Sequence, residues 1–502
     1  MYAQAAARGV AARMKPGVPT TKSGVRTRMK QKLILGITAL SGAAIVAGQF
    51  AVNASTSVTK PATGADQPQV EPIGGVGGDV WVYRLGNDFA NWSEGDYRAY
   101  SSATVSCNTG TAPLAWIANN NQHPVIHQAM FRLKPGQNGH IRFEQIGQSW
   151  LKHGFCALDL TECGQCQATG CTSLGINCND PYTATRNAFQ PDAGPKYDVN
   201  GTTGFFNYPP PDPSYSGLTQ RRLRVLKSDV ELASNAGAQY FLEGLYIHPD
   251  DSPDDDAGRA GNNASYRKAI LAADGAMTAW EGNTVAKQSA IQAWVFADNL
   301  VKLKKTNIAN EGSIRVAYRV YDNGNGTWDY EYAVQNLNID RSFGAFSIPV
   351  PEGVEITNIG FHDVDYHSGE PYDGTDWAAT VAGGSIRWAT TPFAQNPSAN
   401  ALRWGTLYNF RFTANTGPVD APGLLEYFKP GVTPNWTDTL YGPSALPVCD
   451  ADVTGDGEVG FDDIVAVLNA WGACTGCSED VNDDGDVGFD DILAILSEWG
   501  PC

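Results

Sequence analysis

Two stretches of twelve residues near the end of the chain repeat almost position for position, Asp452-Val-Thr-Gly-Asp-Gly-Glu-Val-Gly-Phe-Asp-Asp463 and Asp480-Val-Asn-Asp-Asp-Gly-Asp-Val-Gly-Phe-Asp-Asp491, with a period of 28 residues. Little else in the sequence narrows the fold as much. A calcium ion takes roughly six to eight hard oxygen ligands, and a loop of this length supplies them from positions 1, 3, 5, 7 and 12, with glycine at position 6 for the sharp turn. The spacing assigns Asp452, Thr454, Asp456, the carbonyl of Glu458 and Asp463 to one site around Gly457. It assigns Asp480, Asn482, Asp484, the carbonyl of Asp486 and Asp491 to a second site around Gly485. Position 9 is Gly460 or Gly488, which leaves that place to water. Two calcium ions are therefore expected, and Thr454, a hydroxyl where the second loop has an amide, makes the first site the weaker.

Behind each loop the apolar residues return at helical spacing: Ile464, Val467, Leu468 and Trp471 in one copy, Ile492, Ile495, Leu496 and Trp499 in the other. Each run stops at a glycine, Gly472 or Gly500, as a helix C-cap prefers. One loop-helix unit buries too little to fold alone, so the two apolar faces are expected to pack together with near twofold symmetry. Cys449 and Cys474 bracket the first copy as Cys477 and Cys502 bracket the second. That suggests one disulfide closing each repeat, with other pairings open. Residues 449–502 hold 14 Asp plus Glu and no Lys, Arg or His, within a chain of net charge −18. Cations are the natural partners of such a segment. A nucleic-acid partner is disfavoured, because phosphate binding needs clustered Lys and Arg.

Over these last 54 residues the chain resembles the type I dockerin family, in a variant whose repeats begin and end with cysteine. The resemblance implies a calcium-stabilised module that docks non-covalently onto a cohesin-like receptor domain, mainly through loop positions 10 and 11 and the adjoining helix. Here those positions read Phe461-Asp462 and Phe489-Asp490, where well-known dockerins carry Ser/Thr-type pairs.

At the other end, Met29-Lys30-Gln31-Lys32 is a basic start before an apolar run from Leu33 to Ala47 and small residues at Val52-Asn53-Ala54. This reads as a signal peptide cleaved after Ala54, with Met29 as the start and residues 55–74 as a linker. The run is shorter than the roughly 20 apolar residues a membrane span needs. No later segment is long enough, so no membrane span is expected in the mature chain. Ten cysteines suit an oxidising destination, secreted or at the cell surface.

Between the ends, turn signals about every ten residues and few helical stretches predict a mainly β fold: a sandwich-like antiparallel central region plus the small α module of two calcium loop-helix repeats. The clearest hairpin joins Ile314–Val320 to Trp328–Val334 through Asp322-Asn-Gly-Asn-Gly326. Further strands are marked by Phe346, Ile348 and Val350 and by Trp404, Tyr408, Phe410 and Phe412; the best helix candidate is 289–305. The expected order is a cysteine-containing β-rich region at 75–312, a second domain or an elaborated face of the first, then a sandwich-like domain at 313–416. A stiff connector follows at 417–448, with prolines at Pro418, Pro422, Pro430, Pro434, Pro443 and Pro447, and the module at 449–502.

Four constellations bear on chemistry. His123-Pro-Val-Ile-His127 is weighed as a metal pair, against packed histidines. Cys163-Gly-Gln-Cys166, with Cys171 and Cys178, reads as exported disulfides rather than a zinc knot. The acidic loop from His248 to Asp256 reads as a solvated turn, with a further cation site as the alternative. His362, Asp363, Asp365, His367, Glu370, Asp373, Asp376 and Trp377 form the candidate ligand site, able to line a sugar-binding or hydrolytic cleft. The expectation is a secreted protein attached through its module to a cohesin-like or cell-surface receptor, carrying a β-rich region with a binding or structural role. The alternative is a secreted hydrolase acting on glycosidic bonds of a polysaccharide, which rests on the company dockerins keep. The central region otherwise resembles only uncharacterised exported bacterial proteins that carry the same module.

Overall fold

A computed structural model describes residues 77–136, 139–251, 259–367, 369–446, 449–474 and 476–501. The expected signal peptide and the linker at 55–74 lie outside the described residues, as do 252–258 of the acidic loop. The chain is mainly β and its sheets are antiparallel. No helix among the described residues is long and apolar enough to cross a membrane.

An eleven-stranded sheet covers the first half; its main path runs Val80–Glu94, Tyr97–Asn108, Leu223–Leu226, Ile141–Gln148, Val125–Pro135, Gln239–Ile247, Ala264–Leu271, Met277–Val285. Two five-stranded sheets follow. One is ordered Lys302–Ile308, Gly312–Asp322, Trp328–Asn336, Thr406–Ala414, Ile356–His362. The other runs Ala378–Ala382, Ser385–Ala389, Phe343–Pro349, Pro418–Tyr427, Asn435–Pro443. The predicted hairpin is present, with Ile314 opposite Asn336 and Asp322 opposite Trp328.

Alternation along the strands explains the stacking, because successive side chains leave opposite faces. Ile314, Val316, Tyr318, Tyr330, Tyr332, Val334, Tyr408, Phe410 and Phe412 face the last sheet and share one core with its Phe346, Ile348, Trp388, Leu425 and Leu440. On the opposite face of the same strands, Ala317, Ala333 and Leu407 pack with Phe131, Phe143, Phe241 and Trp294 of the first half. The sheet beginning at Lys302 is therefore a middle layer, buried on both sides. A further cluster joins Val125, Leu245 and Ile247 to Leu337 and Trp404. The 75–312 region is an elaborated face of the same body, sharing its cores.

Several expectations change. The helix sought over 289–305 is only Gln292–Ala297, and Lys302–Ile308 is an edge strand, so the sheet starts before 313. The segment 417–448 is not a connector: Pro418–Tyr427 and Asn435–Pro443 form a hairpin in the last sheet. Its prolines are tolerated because Pro418 and Pro422 lie where the strand pairs on one side only; its bonds to Phe343–Pro349 involve Leu424 to Tyr427.

The module brings two nine-residue helices, Phe461–Asn469 and Phe489–Ser497. Its disulfides do not close each repeat; Cys474 bonds Cys477. The cause is an exchange of ends. Gly472–Ala473, after the first helix, pairs with Asp486–Val487 of the second loop, and Gly500–Pro501 pairs with Glu458–Val459 of the first. Each repeat thus hands its tail to the other, and Cys474, whose N–H donates to Gly485 O at 3.0 Å, lies beside Cys477 rather than Cys449. Cys449 is itself disulfide-bonded. The apolar helix faces also divide. Val467 and Ile495 are buried with Ile464 and Ile492 packed against them, whereas Leu468, Trp471, Leu496 and Trp499 are exposed. The helices carry apolar residues on two sides, and a module this small covers one.

Candidate metal centre and ligand surfaces

Each acidic loop is wrapped around its own carboxylates. In the first, the Asp452 carboxylate accepts the N–H groups of Gly455 (2.8 Å), Asp456 (3.1 Å) and Gly457 (2.8 Å). Asp463, fully buried, accepts the Thr454 N–H and hydroxyl, both at 2.9 Å, and the Gly460 N–H at 2.7 Å. The second loop repeats the scheme: Asp480 accepts from Asp484 and Gly485, and Asp491 from Asn482 and Gly488. Asp456 and Asp484 accept the N–H two residues on, from Glu458 and Asp486. Gly457 and Gly485 both have φ +89°, a left-handed conformation that reserves position 6 for glycine. Burial pulls the Asp463 carboxyl upward, yet the hydrogen bonds from Gly460 and Thr454 outweigh it and hold the group below the ordinary carboxylate range. A position-12 carboxylate buried yet kept ionised suits a divalent cation, as do the oxygens of Asp452, Thr454 and Asp456 and of Asp480, Asn482 and Asp484. The loops differ as the sequence suggests. The Thr454 hydroxyl is engaged as a donor to Asp463, whereas Asn482 presents its Oδ1 as an acceptor, here to the Asp484 N–H at 2.9 Å.

Phe461, Asp462, Phe489 and Asp490, the expected receptor contacts, are exposed at the helix starts. They begin two stripes absent from the sequence reading in this extent: Phe461, Val465 and Leu468 along one helix with Trp471 just past its end, and Phe489, Leu493 and Leu496 along the other with Trp499 just past its end, all exposed. Val465 and Leu493 were missed. Periodicity shows which residues share a face, but not which of two apolar faces is left open.

The candidate ligand site at 362–377 does not assemble as one cleft. Trp377 is buried in the core between the two five-stranded sheets, stacked on Phe361 at 5.7 Å, with its Nε1 donating to Asn400 O. Asn400 also donates to Asp363 at 2.5 Å, and burial pushes that carboxyl upward. His362 Nε2 lies 3.2 Å from Gln145 O, and His367, buried, has Nε2 2.7 Å from Arg222 O. Glu370 accepts the N–H groups of Lys196 (2.7 Å) and Tyr197 (3.1 Å), and burial raises its pKa. Asp373 accepts the Thr375 N–H at 2.7 Å, and Asp365 and Asp376 are exposed. The segment is a loop network that ties the last sheets to the first.

The other constellations resolve similarly. Cys107 bonds Cys163, Cys156 bonds Cys171, and Cys166 bonds Cys178. Asp159, Cys166 and Cys178 come close enough to hold a metal, but both sulfurs are spent in the disulfide. His123 and His127 are not a pair: His123 Nε2 lies 2.9 Å from His153 Nδ1, while His127 packs on Trp404 at 6.1 Å. His248, at the head of the acidic loop, is buried with Nε2 2.6 Å from Ala115 O.

No family model and no curated protein matches the chain. Among solved structures it is similar to the exo-chitosanase CsxA of Amycolatopsis orientalis, at 10% identity and a TM-score of 0.15, over 70% of this chain and 26% of that one. It thus spans about a quarter of the chitosanase's length. It is also similar to the B domain of a biofilm associated protein, at 11% identity and a TM-score of 0.12, over 71% of this chain and 85% of that one. Likenesses at these TM-scores carry no argument about fold or chemistry.

Proposed function

We propose that residues 449–502 form a calcium-stabilised docking module of dockerin type, which attaches the β-rich body non-covalently to a cohesin-like receptor outside the cytoplasm. The observation that carries the reading is the pair of exposed apolar stripes beside the acidic loops. Four large apolar side chains per helix are left in water by a unit that buries few of its own, and contiguous exposed apolar surface marks an interaction site. The stripes repeat with the same period as the loops, so the module presents two equivalent faces. Two ions neutralise charge where acidic groups crowd, and they bind the folded loops better than the unfolded chain. The disulfides at Cys107–Cys163, Cys156–Cys171 and Cys166–Cys178 are compatible with an extracellular destination. The test is surface plasmon resonance of the full chain over a panel of cohesin domains, in calcium and after its removal. Calcium-dependent binding that is lost in Leu468→Asp/Leu496→Asp supports the reading. Failure to bind any cohesin, or binding indifferent to calcium, contradicts it.

A further inference from the structure

The β-rich body has an opening of its own, a cleft of about 560 Å³ lined by Lys152, His153, Arg186, Phe189, Asp192 and Tyr208 among others. Strand Leu151–His153, helix Ala184–Asn187 and the turn Gln190–Asp192 contribute to its walls, which are completed by irregular segments such as 208–212. Its volume is that of a small-molecule site, which runs from roughly 300 to 1,000 Å³.

Three observations describe what it would hold. The first is apolar. Outside the module, the exposed large aromatic side chains among the described residues are Phe189, Tyr197, Phe205, Tyr208, Tyr215 and Phe296, and all but Phe296 fall in the single segment 189–215. Phe189 (46% exposed) and Tyr208 (44%) stand in the cleft wall. Flat rings held in water next to polar groups suit a ligand with an apolar face and a polar edge.

The second is charge. Asp212 is paired with Arg221, and Asp192 with Lys152 at 3.3 Å. Arg186 is left over: its guanidinium lies over the Phe155 ring at 4.2 Å and makes no hydrogen bond to a described residue. In a chain of net charge −18 this is an uncommitted cation with five donors. A planar guanidinium matches a carboxylate.

The third is a chain of imidazoles. His123 Nδ1 lies 2.9 Å from Ile117 O and so donates to it, which makes His123 Nε2 the acceptor of the His153 Nδ1 proton. The His153 Nε2 is left as a bare acceptor, buried and without a partner. Burial pushes the His153 pKa down to about 3, so the ring stays neutral at working pH. Gly194 packs against that nitrogen, where a Cβ would fall 2.6 Å from it, so the two rings form a neutral floor to the cleft rather than a ligand contact.

We propose that this cleft binds an acidic oligosaccharide of the uronic-acid class, with the sugar face on Phe189 and Tyr208 and its carboxylate on Arg186. A plain aliphatic acid would leave the rings uncovered. A polyphosphate would find one uncommitted cation where it needs several. The inference goes beyond the docking reading and does not depend on it, since no residue of the module takes part.

The test is calorimetric titration of the full chain in metal-depleted buffer with trigalacturonate, cellotriose and citrate in turn. Saturable binding of trigalacturonate is expected, weakened at least tenfold in Arg186→Ala and in Phe189→Ala/Tyr208→Ala, with cellotriose and citrate both weaker than trigalacturonate by a similar factor. These three side chains are solvent-facing, and circular dichroism of the variants confirms the fold. No saturable binding, equal binding of cellotriose or citrate, or folded variants that bind like the wild type would overturn the proposal.

Discussion

Twenty-five buried residues make up the core between the two five-stranded sheets, among them Trp388, Tyr332, Tyr408 and Phe410, whereas the module's core has five: Ala451, Val459, Val467, Val487 and Ile495. The two regions are held together by different physics. In the body, aromatic burial on both faces of a middle sheet supplies the stabilisation, and interior polar pairs link the first half to that sheet. Arg142 pairs with Glu331, and Gln335 donates to Glu243. In the module the buried side chains include three aspartates, Asp463, Asp480 and Asp491, and the apolar surface that would enlarge its core is turned outward. Under the proposed docking reading, a unit of this kind depends on what it binds, ion on one side and partner on the other.

The sharpest break between the regions is expected from a core truncation. Phe410→Ala should cost about 3–5 kcal/mol by emptying a packed site and leave calcium affinity unchanged, as read by chemical denaturation alongside calorimetry. Next, Trp471→Ala/Trp499→Ala should change stability by no more than about 0.5 kcal/mol, since both rings are exposed. The same change should weaken receptor binding by about 2 kcal/mol or more, as loss of an aromatic anchor does. Smaller still is the difference between the ions. Asp491→Ala should lower calcium affinity more than Asp463→Ala, by about a factor of ten, or roughly 1.4 kcal/mol, because the second loop has the better ligand set.

The smallest effect, taken per pH unit, separates the regions by pH. Asp180, in the body, is fully buried, and burial raises its carboxyl to about 8. The unfolded chain has the lower pKa there, so between about pH 4 and 8 the folded state holds a proton that the unfolded state has lost, and stability falls as pH rises. Asp180→Asn should therefore gain relative to the wild type across that window, by on the order of 1 kcal/mol for each pH unit, with no change below pH 4. Thermal unfolding of both proteins from pH 4 to 8 checks the sign.

What could be read in advance follows the range of the interactions. The loops are local objects: ligand spacing and the glycine at position 6 are written within twelve residues, and Gly457 and Gly485 adopt the backbone that spacing requires. The Ile314–Val334 hairpin is equally local. Cys474–Cys477 was not legible, because it follows from the repeats exchanging their tails, and nothing in either repeat alone records that. Pro418 and Pro422 suggested a connector because the cost of a proline depends on whether both sides of its strand are paired, which is a tertiary fact. Trp377 looked like a ligand platform in a polar segment, yet it is the core residue that anchors that segment. The cleft around Arg186 and Tyr208 left no trace, since its walls come from irregular segments without a period.

Calcium titration of the intact protein tests the central claim most directly. The account predicts two ions per chain in the wild type and none at the module in Asp463→Ala/Asp491→Ala, with the reduced, metal-free wild type losing the helical signal of 461–469 and 489–497 while the β signal persists. Fewer than two ions, or a helical signal that survives reduction and metal removal, would contradict it.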